Sequence, residues 1–217
     1  MKAMLFDMDG VLVDSEPIHF KARKMTMARY GITIEDEELY GYQSTPMSTF
    51  IAGINKSRGT SIDADEAAQF QKIDFKEAFD NFDLKVIDGI PEYLEKLDAL
   101  KVPMAIASSS TPELIREVTK RLGITKYFRE FVSGYEVEKP KPDPCVYLTA
   151  AKKINVDPAQ CIVLEDSHNG VLSAKAAGMF CIGFRSPHSG NQDLSTADLI
   201  VNSICDIDPS KFFKGAN

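Results

Sequence analysis

Leu5-Phe6-Asp7-Met8-Asp9-Gly10 is an apolar run that stops abruptly at two carboxylates and a glycine. Leu5 and Phe6 read as the end of a short strand, and Gly10 lets the chain turn sharply after it. An Asp at a strand end can act as a nucleophile or hold a hard cation, and a second Asp beside it can hand a proton to a leaving group. Standing alone, Asp-x-Asp before a turn is more often a pair of solvated loop acids. Its meaning depends on what the rest of the chain sets beside it.

From about residue 86 onward the chain alternates between two periodicities. Pro91–Lys101 reads as a helix, with Ile90, Leu94, Leu97 and Leu100 at helical spacing. Pro103–Ala107 is a short strand followed by Ser108-Ser109-Ser110, and Thr111-Pro112-Glu113 has the form of an N-cap with proline at the first helical position. Leu114, Ile115, Val118 and Leu122 line one face of that helix, which Gly123 closes. Phe131–Ser133 is a strand and Asp143–Ile154 a helix; Cys161–Leu164 is a strand running into Glu165-Asp166. Asn169–Ala177 is a helix ended by Gly178, and Phe180–Gly183 and Leu199–Val201 are further strands. This cadence predicts an α/β fold, a Rossmann-like parallel sheet flanked by helices, with its ligand site at the carboxyl ends of the strands.

Residues 15–84 break the cadence. Pro17–Tyr30, Pro46–Ile54 and Ala64–Phe79 have helical patterns and no strand is convincing among them. The expected organisation is an α/β core from residues 1–14 and 85–217, with a small inserted α-helical cap domain over residues 15–84. Such a lobe can act as a lid that excludes water. The aromatic stripe Phe70, Phe75, Phe79 and Phe82 reads as cap core.

Bulk composition narrows the function classes. The 217 residues hold 25 basic and 32 acidic side chains, a net charge of −7, which argues against a nucleic-acid or anionic-membrane partner. A phosphate-bearing ligand must therefore be met by a local site. No apolar run has the length of a membrane span, and the N-terminus enters a strand directly. Cys145, Cys161, Cys181 and Cys205 show no Cys-x-x-Cys spacing and read as reduced structural thiols, in keeping with a cytoplasmic location.

Three further segments join the Asp7/Asp9 pair. Ser108 and its neighbours offer a hydroxyl and backbone N–H groups before a helix N-terminus, an arrangement that binds anions or serves simply as a cap. Lys139 sits in Lys139-Pro140-Lys141-Pro142-Asp143, where prolines stiffen the backbone. Glu165-Asp166 puts a second acidic pair on the edge that carries Asp7. Each has a bland reading alone; in this order, each at a strand or loop end, they do not read as coincidence.

On these motifs the chain resembles the haloacid dehalogenase-like superfamily, in its helical-cap phosphatase and β-phosphoglucomutase-like branch. Asp7-Met8-Asp9-Gly10-Val11-Leu12-Val13-Asp14-Ser15-Glu16, the Ser108 segment, the Lys-Pro-x-Pro-Asp run and Glu165-Asp166-Ser167 occur in the family's order over nearly the whole length. The resemblance implies that Asp7 is the nucleophile, forming an aspartyl-phosphate, and that Asp9 is the general acid and base. It implies that Ser108, Ser109 and Lys139 hold phosphoryl oxygens, with Gly10 beside them. It further implies a Mg²⁺ site formed by Asp7, the backbone carbonyl of Asp9, Asp166 and, directly or through water, Glu165. Asp9 argues against dehalogenation, since relatives that cleave carbon–halogen bonds lack an acid there.

The cap is expected to choose the substrate. β-Phosphoglucomutase-like members carry an arginine three residues after a glycine; matching on Gly41 puts Ser44 there, beside Thr45. Serine supplies no cation, which favours a phosphatase over a mutase, although Lys72 and Lys76 could compensate. His19 either pairs with Asp9 near the hinge or is an ordinary polar residue of the first cap helix. His168 is expected to cap or line the sheet edge, and His188 carries no reading. The resulting expectation is a Mg²⁺-dependent phosphatase acting on a small phosphorylated metabolite such as a sugar phosphate. The alternatives are a phosphoglucomutase-like phosphotransferase and a non-catalytic phosphate-sensing or partner-binding protein. Oligomeric state is left open, a monomer being sufficient.

Overall fold

The computed structural model describes residues 1–43, 45–187 and 189–213. The chain divides into two compact units, one of Met1–Asp14, Leu84–Pro187 and Asn191–Asn217, the other of Ser15–Asp83 with His188–Gly190.

The first unit is built on a six-stranded, wholly parallel sheet of β1 (Ala3–Phe6), β2 (Met104–Ser108), β3 (Glu130–Ser133), β4 (Cys161–Glu165), β5 (Phe180–Phe184) and β6 (Leu199–Val201). Strand order is β3-β2-β1-β4-β5-β6. β1, β2 and β4 are buried along their whole length, which is why they read as unbroken apolar runs rather than alternating ones. One face packs Leu5, Ala107 and Val163 against Val146, Tyr147, Ala150, Val171 and Ala174. On the other, Phe6 meets Tyr93 and Phe128 edge-on, with ring centroids 6.3 and 5.6 Å away. The order places β1 at the centre, and the chain's winding reverses between β1 and β4. In open α/β sheets that reversal opens a crevice at the strands' carboxyl ends.

The helices of the inserted unit are α1 (Glu16–Arg29), the short α2 (Asp36–Leu39), α3 (Met47–Arg58) and α4 (Ala64–Asp80); α2 has too few turns for its periodicity to register in the sequence. Its core is Met27, Ile34, Leu39, Met47, Phe50, Ile51, Ile54 and Ala67. The aromatic stripe therefore needs correcting. Phe79 is buried, but Phe70 and Phe75 on α4 and Phe82, just beyond its end, are only half-buried. Arg23 is buried in this unit; its guanidinium donates to the carbonyls of Tyr42 (2.6 Å) and Thr45 (2.7 Å) and lies over the Phe50 ring.

The sheet unit continues with α5 (Ile90–Ala99), α6 (Pro112–Arg121), α7 (Cys145–Lys153) and α8 (His168–Ala176). Cys161 and Cys181 lie buried in β4 and β5, and all four thiols are free. Among the described residues no helix is long and apolar enough to cross a membrane.

Candidate active site

β1 ends at Phe6, so the next residue is the first whose side chain can leave the sheet. Asp7 is held there by its own N–H, which donates to the Leu164 carbonyl at 3.0 Å, locking it beside the end of β4. The chain then turns back: Gly10 adopts φ 77°, a left-handed conformation that strains other residues, and its N–H donates to the Val13 carbonyl at 2.8 Å. This turn fixes where Asp9 points. The Asp9 Oδ2 accepts a hydrogen bond from Ser110 Oγ at 2.8 Å.

A buried ammonium joins the strand ends. Lys141 Nζ shares its three hydrogens among Asp7 Oδ1 (2.6 Å), Glu165 Oε1 (2.7 Å), the Ala107 carbonyl (3.0 Å) and Tyr147 Oη (3.1 Å). The Tyr147 hydroxyl donates in turn to Glu165 Oε1 at 2.9 Å. The other oxygen of Glu165 accepts from the N–H groups of Asp166 and Ser167 and from Ser167 Oγ, each at 2.9 Å. A fully buried carboxylate is tolerable only with this many donors.

The electrostatics follow from crowding. Burial, with Glu165 and Asp9 nearby, pushes Asp7 up to about 7 against the pull of Lys141. Burial alone would raise Glu165 too, but the Lys141 ammonium outweighs it and holds Glu165 below its usual range. Burial would lower Lys141, yet Asp7 and Glu165 keep it above its ordinary value. Lys141 and Glu165 thus form the settled ion pair, and Asp7 is the group left short of positive charge.

Asp7, Glu165 and Asp166, all buried, bring carboxylate oxygens within 4.8 Å of one another. An all-oxygen set short of positive charge suits a hard divalent cation such as Mg²⁺, and not the N/S-seeking zinc. Beside it, Ser108 is buried at the end of β2; its Oγ accepts from the Ser110 N–H at 3.0 Å, so its own hydrogen stays available to an anion. Ser109 is exposed next to it.

The pattern of the haloacid dehalogenase-like hydrolases matches residues 4–184. The chain belongs to this family. Hexitol phosphatase A of Escherichia coli strain K12 is 32% identical, the match covering 97% of this chain and 94% of that one. The β-phosphoglucomutase of Bacillus subtilis strain 168 is 30% identical over 95% and 92% of the two chains. A crystal structure of a HAD family hydrolase from Deinococcus radiodurans R1, with bound phosphate and sodium, superposes with a TM-score of 0.82 at 26% identity, covering 100% and 99%.

In this hydrolase the structure brings Asp7, Asp9, Gly10, Ser108, Glu165 and Asp166 to one sheet edge. Lys139 is a correction. It is exposed, and the buried lysine on Asp7 is Lys141, two residues on. Both lysines flank Pro140, and nothing in the local sequence says which one the loop turns inward; the acceptors at the sheet edge decide. Sequence reasoning also missed Tyr147, which reads as an ordinary apolar helix position, and Ser110, which reads as part of a cap.

The residues expected in the cap take local partners. The His19 ring lies 4.8 Å from that of Phe75. Thr45 Oγ1 donates to the Tyr42 carbonyl at 2.7 Å. Lys76 pairs with Asp80 and Lys72 is exposed. Ser44 and His188 lie outside the described residues. His168 opens α8, its ring Nδ1 2.9 Å from the Asp193 carbonyl and its N–H on Gln192.

Proposed function

We propose that the protein is a Mg²⁺-dependent phosphatase that hydrolyses a small phosphorylated metabolite, probed first as a hexose or hexitol phosphate, through an aspartyl-phosphate on Asp7. The observation that carries this reading is the Asp7 carboxylate at the centre of the sheet edge, paired through Oδ1 with buried Lys141 and followed two residues later by a second carboxylate.

In the first step an Asp7 oxygen attacks phosphorus, the bond to the substrate oxygen breaks, and Asp9 gives its proton to that oxygen. In the second, Asp9 takes a proton from water as the water oxygen attacks phosphorus. The bond to Asp7 then breaks and inorganic phosphate leaves. Ser108 and the backbone at Ser109 hold phosphoryl oxygens. Lys141 takes the place that the resemblance gave to Lys139 and offsets charge there, because a carboxylate approaching a phosphate dianion meets like-charge repulsion. Asp7 and Asp166 would hold the Mg²⁺, with the Asp9 carbonyl, and Glu165 supports them while anchoring Lys141. When bound, the ion neutralises negative charge that builds on the phosphoryl group.

One feature supports a phosphatase over a mutase, Ser44 where mutase-like members carry arginine; the relatives include both a hexitol phosphatase and a β-phosphoglucomutase. The test is phosphate release from a panel of phosphorylated sugars and sugar alcohols, with and without EDTA, in wild type and Asp7→Asn. Release that depends on Mg²⁺ and on Asp7 supports the reading. Isomerisation of β-glucose 1-phosphate, primed by its bisphosphate and without net release, would make it a mutase. Turnover retained in Asp7→Asn would remove the covalent mechanism.

A further inference from the structure

We propose that Ser110 is the residue that positions Asp9, selecting which oxygen of its carboxyl group carries the catalytic proton. The inference rests on the general-acid role of Asp9 given above.

The backbone of Ser110 is held on two sides. Its N–H donates to Ser108 Oγ at 3.0 Å, and its carbonyl accepts from Ser133 Oγ at 2.6 Å. Ser133 is itself buried at the end of β3. A capping box locks it, its Oγ accepting from Tyr135 N–H while its own N–H donates to Glu136. With the backbone held, the remaining freedom is the Ser110 hydroxyl, and it points at Asp9 Oδ2, 2.8 Å away. Asp9, Ser110 and Ser133 come from the ends of three adjacent strands, so the contact ties the acid to a frame outside its own loop.

The chemical consequence follows from hydrogen count. A serine hydroxyl has one hydrogen. Donated to Oδ2, it favours the acid form whose own proton is on Oδ1, because a proton on Oδ2 would compete with the serine hydrogen for the space between the two oxygens. In that form Oδ1 is the oxygen that presents the proton to a leaving group. Without Ser110 the carboxyl group rotates and the proton is shared between two oxygens, one of them misdirected.

The test compares kcat/KM for two substrates in wild type, Ser110→Ala, Ser110→Thr and Asp9→Asn. One is the best hexitol or hexose phosphate from the panel, whose alkoxide must be protonated to leave; the other is p-nitrophenyl phosphate, whose phenolate leaves without a proton. kcat/KM reports the first irreversible step, transfer to Asp7, so later hydrolysis of the aspartyl-phosphate does not enter. Ser110→Ala is expected to lose about 10- to 100-fold on the sugar substrate and under about threefold on p-nitrophenyl phosphate, with Ser110→Thr recovering most of the loss. Asp9→Asn is expected to show the same selectivity, larger. Equal losses on both substrates, or no loss on either, would overturn the role of Ser110. Ser110→Cys, nearly isosteric and a weak donor, serves if the alanine variant does not fold and should show the same selective loss. An unselective Asp9→Asn would instead overturn the general-acid reading beneath it.

Discussion

Among the described residues, Lys141 is the cation paired with both Asp7 and Glu165. Its side chain is 6% exposed, against 10% for Asp7 and 0% for Glu165. Replacing Lys141 by Met removes the ammonium that pairs with two buried carboxylates, and breaking a buried pair from one side costs about 3–5 kcal/mol. The same change strips the attacking carboxylate of its offset, for which about 10²- to 10³-fold in kcat is expected, the range for a single electrostatic group in a site. Lys139→Ala, on an exposed side chain, should stay within about twofold and about 0.5 kcal/mol. Urea unfolding and phosphate release on the two variants check both halves. A damaged Lys139→Ala with an intact Lys141→Met would reverse the assignment.

At the scale of the element, α8 shows how a helix becomes part of the site. Ser167 caps it by accepting from the Gly170 N–H at 3.1 Å, while the Ser167 hydroxyl donates to Glu165. The helix thereby starts directly on the carboxylate that ends β4, so closely that a Cβ on Gly170 would lie 1.6 Å from Glu165 Oε1. Two effects compete in Gly170→Ala. Alanine gains about 1 kcal/mol of helix propensity. Against that, Glu165 must leave its donors, an overpacking cost of about 1–3 kcal/mol joined by the loosening of its pair with Lys141. The clash wins: a net loss of about 2–4 kcal/mol and of most activity is expected, measured by denaturant unfolding and turnover. The helices and strands around this contact are legible in the sequence because fully buried parallel strands read as apolar runs and each ends in polar residues at one edge. The contact itself is not legible, since Asn169-Gly170-Val171 looks like any glycine tolerated in a helix. For the same reason Lys141 was indistinguishable from Lys139, and Ser110 from a capping serine. Spacing reports periodicity along one element, whereas these residues are chosen by neighbours two strands away.

For the molecule as a whole, the crowded carboxylates couple stability to protons and metal. In the metal-free protein, burial together with Glu165 and Asp9 raises Asp7 to about 7, whereas an unfolded Asp titrates near 3.9. Between about pH 4 and pH 7 the folded chain therefore keeps a proton that the unfolded chain has released. More protons bound to the native state means that stability falls as pH rises through that window. Asp7→Asn carries no such group, so the unfolding free energy of wild type minus that of the variant should decline across the window and level off above it. A cation held by Asp7 and Asp166 must displace that proton, so Mg²⁺ should stabilise wild type more at pH 7.5 than at pH 5 and should act weakly on Asp7→Asn. Thermal unfolding of both proteins over pH 4–8, with EDTA and with Mg²⁺, reads both effects without any substrate. A difference curve that stays flat or rises between pH 4 and 7 would mean that Lys141 alone satisfies Asp7, and the electrostatic case for a cation at this sheet edge would go with it.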